Sequence, residues 1–76
     1  MENKIKQIMA DVFSMDISEI NEDASPDHID KWDSLGHMCL ITAIEEELDI
    51  TFNNDQIIEM MNFKLILLVV SEIKKK

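Results

Sequence analysis

The chain has no arginine, and only one cysteine, one glycine, one proline and one tryptophan in 76 residues. Each scarcity excludes something. With Cys39 alone, no internal disulfide can form. A bare thiol without a signal peptide suits a reducing compartment, the cytoplasm. With Gly36 and Pro26 as the only backbone punctuators, flexible joints are few. No stretch reads as a linker, a repeat or a low-complexity segment. The apolar run Leu65–Val70 falls far short of the about 20 residues that cross a bilayer. Positive charge is scarce as well: 7 lysines face 16 Asp and Glu, for a net charge of −9. Such a surface repels nucleic acid and anionic membrane. It attracts basic patches on protein partners and steers encounter with them. The length bounds the chain to a single domain, residues 1–76, whose core supplies only about 3–5 kcal/mol. A deep catalytic pocket with a rigid supporting shell has little room there. A function that needs one modifiable residue and a surface suits it better.

What is present is helical periodicity. Ile5, Ile8, Met9, Val12 and Phe13 make one apolar stripe and predict a first helix over 3–14. Residues 15–33 read as a long ordered loop, in which Pro26 disfavours a helix through Ser25. Ile17, Ile20, Ala24, Ile29 and Trp32 are spaced along it as anchors to the core. Asp16, Glu19, Glu22, Asp23, Asp27, Asp30 and Asp33 make it strongly acidic. Asp33 is a good N-cap and predicts a helix from Ser34 to about Leu48. Leu40, Ile44 and Leu48, with Ile41 and His37 beside them, form its core stripe. Leu35, Met38, Cys39, Thr42, Glu45 and Glu46 form a second face, apolar near the start and acidic near the end. Ile50 and Phe52 point inward from a short turn. Asn53, Asn54 and Asp55 offer caps for a short helix over 55–61. A last helix over 63–73 buries Phe63, Ile66, Val69, Val70 and Ile73. The adjacent Leu67 and Leu68 cannot both follow that stripe. The closing lysines Lys74, Lys75 and Lys76 suit the negative end of the helix dipole. The simplest closure is all-α: a four-helix bundle of three longer helices and one short one.

The run WDSLGHMCLITAIEEELDITF, residues 32–52, carries the most specific pattern. Asp33-Ser34-Leu35 opens a helix that ends in a Glu cluster, after a long acidic loop and before a short and a last helix. In this order the chain resembles acyl carrier proteins over essentially its whole length. The resemblance implies that Ser34 carries 4'-phosphopantetheine, donated by coenzyme A, through a phosphodiester. It implies that Asp33 and Leu35 are read by a phosphopantetheinyl transferase. It further implies that Met38, Cys39, Thr42, Glu45 and Glu46 dock on partners: an acyl-loading ligase or acyltransferase, and acyl-using enzymes with basic patches. The resemblance also implies an apolar space between the helices that shelters part of the acyl chain, for which Met60 and Met61 are adaptable lining candidates. On this reading the protein is a monomeric carrier and not itself an enzyme. The chemistry agrees, because first-turn amides favour a phosphate on a helix-start serine. Many fatty-acid carriers place an acidic residue directly after Asp-Ser-Leu and another three positions later. Here those positions hold Gly36 and Cys39. A docking face short of those charges points to a specialised pathway, such as a modified surface sugar, lipid or secondary metabolite. A general fatty-acid carrier and a D-alanyl carrier protein are the alternatives within the family.

Other readings are weaker. Ser34, His37 and Asp33 share a neighbourhood, since residues three apart share a helix face. A hydrolase triad also needs a buried acid on the histidine and an oxyanion hole facing a pocket, and no Gly-rich elbow is present. The acidic loop lacks the glycine of a calcium-binding loop, leaving only loose association of divalent ions. Cys39 is expected to be partly buried, and Trp32 to anchor the loop. Outside the carrier class stands an acidic helical adaptor that binds a basic partner and is never modified.

Overall fold

A computed structural model of the chain describes residues 2–74. Among them the order is α1 (Glu2–Phe13), a 3₁₀ turn (Ile17–Glu19), α2 (Ser34–Leu48), α3 (Asn54–Glu59) and α4 (Phe63–Lys74). The fold is all-α, with three longer helices, one short helix and the long loop between α1 and α2. No strand occurs among the described residues.

The apolar stripes close around one core. Ile5, Ile8, Met9, Ala10 and Phe13 of α1 meet Leu40, Ile41 and Ile44 of α2 and Phe63, Ile66, Val69 and Val70 of α4. Burying each large side chain contributes about 1.5–3 kcal/mol. Val12, Leu48, Ile50 and Ile73 pack at the margin and stay half-buried, while Phe52 goes fully inward. Leu67 is half-buried and Leu68 is exposed, which resolves the Leu-Leu pair at the end of the stripe.

Both of the first two long helices end left-handed without glycine. Ser14 takes φ 53° and the Met15 N–H reaches back to the Ala10 carbonyl at 3.0 Å. Asp49 takes φ 54° and the Ile50 N–H reaches the Glu45 carbonyl at 3.1 Å. These returns satisfy carbonyls that a helix end leaves without partners. Lys74 Nζ donates to the Leu48 carbonyl at 3.3 Å, so this lysine closes the end of α2. Lys75 and Lys76 lie outside the described residues.

The long loop is pinned as its apolar spacing suggests. Ile20, Ala24, Ile29 and Trp32 are buried, and the Ala24 carbonyl accepts from the Phe63 N–H at 2.9 Å at the start of α4. The Trp32 ring lies 5.6 Å from that of Phe13. Ile17 departs from expectation at 38 % exposed. It opens the 3₁₀ turn, whose ends are held by Asp16 and Glu19 in a reciprocal capping box, so polar groups and not burial fix that segment. The short helix α3 begins one residue early, because Asn53 and Gln56 form a second capping box. It stops before Met60 because the Met61 N–H turns to the Glu59 carbonyl at 2.8 Å.

Candidate functional site

Ser34 is the first residue of α2 and is exposed. The Asp33 carboxylate accepts from the Gly36 N–H at 2.8 Å and so fixes where the helix starts. The amides of Ser34 and Leu35 are first-turn donors that no helical carbonyl reaches, the usual setting for an anion. Beside Ser34 opens a groove of about 450 Å³, lined by Pro26, Trp32, Asp33, Ser34, His37, Met38 and Met61. Its apolar side chains are open to solvent: Met61 is 47 % exposed and Met38 half-exposed, and Leu35, next to Ser34 in sequence, is 76 % exposed. In a chain this acidic, large apolar side chains gathered around one hydroxyl are an unusual surface.

Further along α2 a shallow groove of about 410 Å³ is lined by Met38, Cys39, Thr42, Ala43 and Glu46. Four of the five residues expected to dock partners therefore share one surface. Cys39 is exposed there, contrary to the partial burial expected of a small apolar thiol. Glu45 departs from the group. It is half-buried, and its carboxylate accepts from the Phe52 N–H at 2.9 Å, holding the turn between α2 and α3. Glu47 reaches Lys4 at 3.8 Å across to α1, a half-exposed pair of small energetic weight. Glu46 is thus the carboxylate of this Glu cluster that faces outward on the grooved side. The two methionines expected to line an acyl space also separate. Met60 is fully buried among core side chains, whereas Met61 lines the groove beside Ser34.

His37 is half-buried and held at both ring nitrogens. Trp32 Nε1 donates to Nδ1 at 2.9 Å, and Nε2 lies 2.9 Å from the Ile57 carbonyl. An indole N–H only donates and a carbonyl only accepts. The ring is therefore the neutral tautomer with its proton on Nε2. With both nitrogens engaged, neither is turned to Ser34 as a base. Among the described residues, no group of three or more His, Cys, Asp or Glu is placed to hold a metal ion.

Gly36 has a structural reason that its sequence position does not reveal. A Cβ there would overlap the backbone carbonyl oxygen of Lys31 and come within 3.3 Å of the Asp33 carboxylate. The loop backbone thus occupies the place of a side chain. The sequence marks Ser34, Asp33 and Leu35 through local cap chemistry. Pro26 and the partners of His37 enter the site only through tertiary packing, for which a single sequence offers no periodic signal.

The sequence matches no protein-family model, and no curated protein matches it.

Proposed function

We propose that this chain is an acyl carrier protein, modified at Ser34 by 4'-phosphopantetheine and acting in the cytoplasm. The observation that carries the reading is the placement of Ser34: an exposed hydroxyl at the first turn of α2, beside an open, apolar-rimmed groove. The residues fit such a group. The Ser34 oxygen forms the bond to the pantetheine-side phosphorus of coenzyme A while the pyrophosphate linkage breaks. The adenosine bisphosphate half leaves, and the hydroxyl proton passes to a base of the transferase. Once attached, the arm supplies a thiol that holds acyl groups as thioesters. The protein's own part is to bind and orient. First-turn amides face the phosphate, and the groove offers apolar surface worth about 0.8 kcal/mol per covered methylene. Partner enzymes supply catalysis and meet α2 over Met38, Cys39, Thr42 and Glu46.

The apolar character of that surface supports a specialised pathway over general fatty-acid synthesis. Gly36 and Cys39 stand where many fatty-acid carriers have carboxylates, and the side chains of Leu35, Met38 and Cys39 are exposed on this stretch of α2. A D-alanyl carrier is the remaining alternative in the same family. The deciding experiment is intact mass after incubation with coenzyme A, magnesium and a broad-specificity phosphopantetheinyl transferase. A gain of one phosphopantetheinyl group, absent in Ser34→Ala, is expected. No gain in folded protein, with a known carrier modified in parallel, would leave the unmodified acidic adaptor as the better reading.

A further inference from the structure

The groove beside Ser34 has walls from three places in the chain: the loop through Pro26 and Trp32, the first turns of α2, and the segment after α3 through Met61. These walls do not share a helix, so something must set their spacing. The carbonyl of Ile57 shows what does. In a continuing helix it would accept from the Met61 N–H, but that N–H turns to Glu59 and the Met60 N–H serves Gln56. The Ile57 carbonyl is left as a helix-end acceptor, and His37 Nε2 fills it at 2.9 Å. On its other side the same ring accepts from Trp32 at 2.9 Å, with the two rings stacked at 16° and 6.2 Å. Gly36 permits this arrangement, because only a residue without Cβ lets the Lys31 carbonyl seat against α2 and deliver Trp32 to His37.

We propose that His37 is a positioning residue that clips the loop to the end of α3 and so fixes the walls of the groove beside Ser34. The use of the groove by an attached arm rests on the carrier reading; the clip itself does not. A part-buried bridge with both partners matched rigidifies its surroundings, and small displacements of a reacting group cost rate steeply.

Three readouts test this. In the wild-type protein at mildly alkaline pH, long-range ¹⁵N correlations of the ring should show the Nε2–H tautomer alone. An Nδ1–H tautomer or a mixture overturns the clip. In His37→Leu, exchange of the Trp32 indole N–H and of the Met61 amide should accelerate while α1 amides stay protected. Transfer of phosphopantetheine to Ser34 should fall roughly tenfold in kcat/KM. His37→Gln, whose amide can both accept from the indole and donate to the carbonyl, should recover most of both effects. Unchanged exchange in the Leu variant, or transfer at the wild-type rate despite faster exchange, overturns the proposal. If the Leu variant does not fold, the tautomer and the Gln variant decide. If the wild type accepts no arm while a control carrier does, the carrier reading falls, and tautomer and exchange alone decide the clip.

Discussion

At Gly36 two local rules oppose each other. Alanine in a helix is favoured over glycine by about 1 kcal/mol, so Gly36→Ala would ordinarily stabilise. Here the added methyl meets a backbone carbonyl, which cannot swing aside as a side-chain tip can. Either the loop at Lys31 retreats and takes Trp32 with it, or the first turn of α2 distorts. Overpacking of this kind costs about 1–3 kcal/mol, more than the propensity gain, so the variant should lose stability. Chemical denaturation checks it, with emission of the lone tryptophan as the local reporter. A more stable variant would show that the loop relaxes at little cost. The sequence makes Gly36 look like a missing docking charge. The structure makes it a point of contact, because what it touches is a carbonyl five residues upstream whose approach no pattern encodes. Asp33 and Ser34 are legible for the opposite reason: cap and first turn are made within a few residues of each other. His37 lies between these cases. Its half-burial follows from periodicity, but its partner Ile57 is 20 residues away.

At the scale of elements, the three longer helices are readable from their apolar stripes and α3 from its cap residues, and the differences sit at ends where side chains compete for backbone groups. The loop is the element that periodicity describes least, and its 3₁₀ turn illustrates why. There Asp16 accepts from both the backbone N–H and the hydroxyl of Ser18, at 3.1 Å each, while Glu19 reaches back to the Asp16 N–H at 3.1 Å. The Ser18 N–H first, and its hydroxyl second, hold the Asp16 carboxyl below the usual carboxylate range. A carboxyl whose folded-state value is depressed contributes stability above its ordinary value, and that contribution is lost as pH falls through the folded value. The turn should therefore hold at neutral pH and loosen only in acid below the ordinary aspartate range. Ser18→Ala removes the hydroxyl bond and leaves the backbone one, so the Asp16 titration should move only part of the way back up. A carboxyl ¹³C titration of both proteins reads this directly. No upward movement would mean that the hydroxyl contributes nothing to the cap.

For the whole molecule the dominant fact is charge. The net charge of −9 is spread over a body of 31 × 23 × 20 Å. At about 0.01 M salt the screening length is about 30 Å, so each carboxylate feels nearly every other; at about 0.15 M it is about 8 Å, and only neighbours matter. The described residues contain one ion pair, Lys4–Glu47, too exposed to offset this repulsion. Added salt should therefore stabilise the fold. Relief of about 1 kcal/mol corresponds to a rise in Tm of about 4–8 °C for a domain of this size. Magnesium and calcium separate two sources of the same effect. If the acids act only as a diffuse field, divalent chlorides at matched ionic strength should give the same rise as sodium chloride. That is the expectation, since no cluster among the described residues is placed to hold an ion. A larger rise with calcium at matched ionic strength would reveal a bound ion on the acidic loop. A Tm that does not respond to any salt would show that the carboxylates are already far enough apart in water. The proposed use of the charge, to draw basic partner surfaces toward α2, would then rest on Glu46 and its neighbours alone.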